Sequence, residues 1–150
     1  MSWPPAGWPT IAPLYAPGHV VHCRAEFAPV HYLAAGWHQP EDYFTWMDGI
    51  EAVIRFVVRR PSVGYMLRLD VVPVGFGEVT QTLEVFFNFF RVGYFEIPES
   101  KPVSLQLPAE LFIMRESTLT LHCREARRGT EFGLGDERRL GIAVSSWVLE

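Results

Sequence analysis

The chain has 150 residues, 49% hydrophobic and 20% charged, which fits one folded domain large enough to bury a core and excludes a disordered polar tail. Its net charge of -4 and its single lysine, Lys101, give no basic stripe for nucleic acid. No run reaches the roughly 18 apolar residues of a membrane span, so membrane insertion is not expected.

Residues 1–18 are set apart by composition. Pro4, Pro5, Pro9, Pro13 and Pro17 alternate with Trp3, Trp8, Ile11, Leu14 and Tyr15. Proline at this density removes backbone donors and favours an extended chain. The segment reads as an arm, packed either on its own domain or on another subunit. It has neither the basic start nor the apolar stretch of a secretory signal, so the expected location is cytoplasmic, with a surface or particle assembly as the alternative.

From His19 to Glu150 the periodicity is that of strands, and this is the second unit, a β-sandwich domain over 19–150. "HVVHCRAEF" places Val21, Cys23, Ala25 and Phe27 on one face. "IEAVIRFVVRR" aligns Ala52, Ile54, Phe56 and Val58. "YMLRLDVVP" aligns Leu67, Leu69 and Val71. "TLEVFFNFFRV" sets Leu83, Val85, Phe87 and Phe89 against Glu84, Phe86, Asn88 and Phe90. A face carrying Phe86, Phe90 and Tyr94 invites a cover by the arm, a loop or another subunit. "VSLQL" gives Val103, Leu105 and Leu107, and "STLTLHCRE" gives Leu119, Leu121 and Cys123. Between them, "PAELFIMRES" reads as one helical turn with Pro108 at its first position. "GIAVSSWVL" aligns Ile142, Val144, Ser146 and Val148. About seven or eight strands separated by Gly, Pro and Asp turns predict an all-β, antiparallel, jelly-roll-like sandwich, in which first and last strands lie close together.

The chemistry-bearing motifs narrow by exclusion. His22–Cys23 and His122–Cys123 suggest zinc, but neighbouring strand residues point to opposite faces, and no CxxC or HxxxH exists, so no metal is expected. There is no G-x-S-x-G elbow and both cysteines fall on the core-facing register, so no catalytic nucleophile is assigned. The glycines of "VGFGEV" and "GTEFGLG" neither follow a strand nor open a helix, and they read as turns, not nucleotide loops. No cofactor is implied, and the chain does not read as an enzyme.

Sugar binding survives. A sugar ring offers an apolar C–H face to an aromatic plane and hydroxyls to carboxylates and guanidinium groups. "GWHQPEDYFTWMDG" supplies that mixture between two strands: Trp37, Tyr43 and Trp46 for stacking, and Glu41 and Asp48 for hydroxyls, with Arg138 from "GDERRLG". Asn88 is a further candidate. The same residues also suit a structural part, with the tryptophans capping the core end and Arg138 clasping Asp136, Asp48 or Glu41.

"GWHQPEDYFTWMDGIEAVIRF" and "GDERRLGIAVSSWVL" together resemble a "GW…E…W…G…A.l.l" segment and a "D.RrLGia…l.l" ending, over roughly residues 36–149. This pair is similar to a carbohydrate-binding-module-like β-sandwich found beside bacterial glycosyltransferases and other surface-polysaccharide proteins. Trp37, Glu41, Trp46, Asp136, Arg138 and Gly141 match its recurring positions. The chain departs from the pattern at "FFNFFRVGYF", where a plain N-G turn is commoner. The resemblance implies a non-catalytic domain that recognises a bacterial surface polysaccharide or assists its synthesis, with a glycan as partner. The competing expectation is a structural or adaptor protein that docks through its arm and Phe-rich face into a homo-oligomer or a phage-like or surface assembly.

Overall fold

The computed structural model describes residues 11–27, 29–75 and 79–150. The arm's Trp3, Trp8, Pro4, Pro5 and Pro9, and residues 76–78 of the "VGFGEV" turn, lie outside them. Among the described residues the strands are β1 (Val21–His22), β2 (Leu33–Ala35), β3 (Thr45–Trp46), β4 (Glu51–Val57), β5 (Gly64–Val72), β6 (Gln81–Phe87), β7 (Phe90–Ile97), β8 (Lys101–Pro108), β9 (Glu116–His122), β10 (Arg127–Arg128), β11 (Arg139–Leu140) and β12 (Ala143–Leu149).

Two five-stranded antiparallel sheets form a sandwich. One runs β1-β12-β5-β8, with β3 also on β12, and the other runs β2-β4-β9-β6-β7. Eight strands carry the topology: β1, β4, β5, β6, β7, β8, β9 and β12. Numbered in that order, the sheets read 1-8-3-6 and 2-7-4-5, which is the jelly-roll order of two Greek keys. The expectation of seven or eight strands holds for this frame. The remaining strands are pieces of two or three residues inside the connections.

The inward faces follow the alternation. Ala52, Ile54, Phe56, Leu67, Leu69, Val71, Leu83, Val85, Leu119 and Leu121 from the two sheets share one buried cluster. The aromatic richness has a structural use here. Trp147 packs against Tyr15 at 4.9 Å and Phe56 at 5.1 Å, and Phe87 against Phe112 at 4.8 Å. Such pairs add about 0.5–1.5 kcal/mol each beyond the burial of their area. Cys23 and Cys123 are buried free thiols, and burial is the leading cause that pushes each pKa up to about 12.

Four local expectations need correction. The strand expected over 19–27 stops at His22, because Ala25–Phe27 close a 3-10 turn that leaves Ala25 and Phe27 exposed. "TLEVFFNFFRV" is not one strand but a hairpin with Asn88 and Phe89 as its two-residue turn, both at positive φ (46° and 74°), the signature of a type I′ turn. Phe90 therefore pairs with Phe87, while Phe86 and Arg91 pair on the outer face. In β12 the register shifts between Val144 and Ser146. Ile142 and Val144 are buried as expected, but past the bulge Trp147 and Leu149 turn inward, and Ser146 pairs instead with Asp70. The helical turn near Pro108 is 3-10, over Ala109–Leu111, with Pro108 as its N-cap rather than its first helical residue.

The described part of the arm lies on its own domain. The Tyr15 N–H donates to the Val57 carbonyl, the Val57 N–H donates to the Pro13 carbonyl, and the Tyr15 hydroxyl accepts from the Leu149 N–H. Ile11 and Leu14 remain exposed.

Candidate functional site

Strand direction reverses at each step of an antiparallel jelly roll. The connections 1–2, 3–4, 5–6 and 7–8 therefore gather at one end of the sandwich. "GWHQPEDYFTWMDG" lies in the first of these and "GDERRLG" in the last. The topology brings the two sequence motifs together.

The first loop is itself a small irregular hairpin. Trp37 bridges Met47, the His38 N–H donates to the Trp46 carbonyl, and the Glu41 N–H donates to the Phe44 carbonyl. It opens on Gly36 at φ 80°, where a Cβ would collide with the Glu51 carbonyl, so only glycine fits. Its returning side is fixed to the second motif. Thr45 and Trp46 pair with Val144 and Ala143, the Met47 N–H donates to the Ile142 carbonyl, and the Gly141 N–H donates to the Met47 carbonyl. The buried Thr45 hydroxyl donates to the Cys23 carbonyl at 2.8 Å.

The six residues expected to contact sugar divide into three groups. Trp37 is a correction: it is 0% exposed, and its indole N–H donates to the Val53 carbonyl at 2.9 Å. A ring enclosed by the core presents no face for stacking. Trp46 is half-buried, edge-on to Phe44 at 5.0 Å, and packs on a small cluster of Val74, Phe132 and Leu140. Tyr43 is the exposed aromatic of the loop, at 72%. With Glu41, Asp42 and Phe44 it lines an open depression of about 370 Å³.

The charged residues form two adjacent networks. Arg138 holds Asp136 through Nε and Nη2 (2.7 Å at the shortest) and Glu41 through Nη1 at 3.1 Å. The Arg138 hydrogen bonds are the largest influence on Asp136 and hold its carboxyl below the usual aspartate range, while the same contacts push the guanidinium pKa up. Asp136 is thus an ionised acceptor at neutral pH, unsuited to act as a general acid. Asp48 belongs to the second network. Its Oδ1 lies 3.3 Å from Arg139 Nη2 and 3.7 Å from Nε2 of the buried His38, which also lies 2.6 Å from the Arg139 carbonyl. The sequence offers Asp48 as one partner of Arg138, but the neighbouring Arg139 takes it. His38 and Arg139 are not among the expected site residues, and the adjacent arginines at 138–139 are the signal the sequence carries for the second network.

Asn88, the further candidate, is at the opposite end of the sandwich and is buried. Its side chain accepts from the Thr118 N–H and donates to the Leu111 carbonyl. Its role is to brace the hairpin. Among the described residues, no group of three or more His, Cys, Asp or Glu side chains is arranged to hold a metal ion.

No family model matches the chain, and no curated protein matches it. Solved structures similar to it include a family 35 carbohydrate-binding module from an environmental isolate, 11% identical, with a TM-score of 0.44, covering 99% of this chain and 90% of that one. Another is a CBM36 module in complex with calcium and xylotriose, 8% identical, TM-score 0.44, covering 74% of this chain and 82% of that one. A third is the insecticidal delta-endotoxin Cry8Ea1 from Bacillus thuringiensis, 16% identical, TM-score 0.45, covering 71% of this chain. The chain spans 19% of the toxin's length.

Proposed function

We propose that the chain is a non-catalytic carbohydrate-binding β-sandwich that recognises a bacterial surface polysaccharide, with its contact surface at the loop end of the sandwich. The observation that carries this reading is the pairing of an exposed Tyr43 ring with Glu41 and Asp42 in one depression. A sugar ring stacks its C–H face on Tyr43 and directs hydroxyls to the two carboxylates. Arg138 keeps Glu41 in place from behind, through a network already closed on Asp136. The pre-organised loop lowers the ordering cost of binding. Trp37 and Asp48 support the loop and do not touch the ligand. The bacterial and polysaccharide parts of the reading rest on the resemblance of the two motifs.

Calorimetric titration of the chain with neutral and acidic bacterial oligosaccharides tests this. Tyr43→Ala is expected to weaken the best binder tenfold or more, which is about 1.4 kcal/mol. Unchanged affinity in that variant removes Tyr43 from the site, and no binding to any glycan removes the function.

A further inference from the structure

The outer face of the β2-β4-β9-β6-β7 sheet carries a feature that the loop-end reading does not use. A depression of about 320 Å³ is lined by Glu51 of β4, Thr120 and His122 of β9, Phe86 of β6, and Phe89 from the hairpin turn. Strand pairing fixes this set: Glu51 and Glu84 both lie opposite His122, and Phe86 lies opposite Thr120. Tyr94 and Arg91 flank it on β7, with the Arg91 guanidinium 5.5 Å from the Tyr94 ring centre and 2.8 Å from Glu84.

Phe89 is the residue that asks for an explanation. It sits at φ 74°, a left-handed conformation that a bulky aromatic rarely adopts and that glycine fills in most type I′ turns. Its side chain is 76% exposed, so core packing does not account for it. Yet the turn is firmly braced by Asn88, whose backbone and side chain make three hydrogen bonds to the Thr118 and Leu111 backbone. A strained, braced backbone that holds an apolar ring out into water is a recurrent feature of ligand contacts. The lining also carries the polar groups Glu51, Thr120 and His122, and the His122 Nδ1 lies 3.8 Å from Glu84 Oε1.

We propose that this face is a second sugar-contact surface, which takes the ring of a neutral glycan on Phe89 and Phe86 and its hydroxyls on Glu51, Thr120 and His122. Neutrality follows from charge: the Glu51 carboxylate lines the depression, while Arg91 is held by Glu84 at 2.8 Å, so a uronic acid brings its carboxylate against Glu51 with the nearest guanidinium already paired. The inference rests on the glycan-binding reading and adds a site and a ligand class to it.

The test is a chemical-shift titration of the isotopically labelled full chain with cellohexaose, xylohexaose, mannohexaose and an oligogalacturonate, repeated on Phe89→Gly, Thr120→Val and Tyr43→Ala. The expected result is that one neutral hexasaccharide perturbs amides at 86–89 and 120–122. Phe89→Gly and Thr120→Val should each weaken that set at least fivefold and leave the Tyr43 set unmoved, and the oligogalacturonate should not perturb the sheet face. Phe89→Gly relieves a positive φ, so it should fold. Perturbations confined to the loop end overturn the second surface and leave the glycan reading standing. Sheet-face perturbations that survive Phe89→Gly unchanged, or that arise only with the oligogalacturonate, overturn the assignment. No perturbation by any of the four overturns the second surface, while the glycan reading itself is decided by the bacterial oligosaccharide panel.

Discussion

Arg138 Nη1 lies 3.1 Å from Glu41 Oε2, across 97 residues of sequence. The jelly roll makes this contact possible, because the connection before β4 and the connection after β9 share one end. The contact ties the two halves of the motif pair. Both side chains are about 40% exposed, so its energy is small. A double-mutant cycle of Arg138→Ala and Glu41→Ala in urea denaturation should give a coupling of about 0.5 kcal/mol. An unfavourable coupling, or a favourable one that does not weaken with added salt, would contradict the clasp.

Asp136 supplies a pH dependence. Its carboxyl is held below the ordinary aspartate value by Arg138, so the folded state binds its proton less readily than the unfolded chain. The stability it contributes is fully present above the unfolded value of about 3.9 and is lost as pH falls through the lower folded value. Unfolding midpoints of the parent chain and Asp136→Asn should differ by a constant amount at pH 5–8 and converge as pH falls from about 3.9 through the lower folded value. A gap that persists at low pH would contradict the assignment.

Trp37 is expected to be a stability residue and not a ligand contact. Trp37→Ala should cost about 3–5 kcal/mol, from a large cavity. Trp37→Phe is the gentler variant: it leaves the Val53 carbonyl without its donor and should cost about 1–3 kcal/mol. Folded Trp37→Phe should bind glycan as the parent does. A selective loss of affinity in a variant that stays folded would restore Trp37 to the site.

Phe89→Gly should raise stability by up to about 1 kcal/mol, since glycine adopts the positive φ at no steric cost and little apolar area is given up. Thermal unfolding reads this as an increase of a few degrees. A clear decrease would show that the Phe89 ring packs on the domain rather than projecting from it.

The frame was legible because strand alternation is strong where a sheet has one buried face. Leu67, Leu69 and Val71, or Leu119 and Leu121, could be placed from period two alone. Alternation does not register a bulge, nor a turn in which Phe stands where glycine usually follows Asn. The inserted residue before Ser146 sends Trp147 inward, and Asn88–Phe89 reverses the chain with a single turn residue among aromatic side chains. The candidate site was legible in pieces. Glu41, Tyr43 and Arg138 do share one end of the sandwich. That Trp37 is enclosed while Tyr43 is exposed depends on which side of the hairpin loop each ring occupies, and composition carries no such information.

The central claim is that Tyr43, beside Glu41 and Asp42, binds a glycan. The most direct measurement is a calorimetric titration of the full chain and of Tyr43→Ala with the best binder from a panel of neutral and acidic bacterial oligosaccharides. The account predicts saturable binding by the parent chain and at least a tenfold loss in the variant, with unfolding midpoints that match. Equal affinities for the two chains, or no binding to any member of the panel, would contradict it.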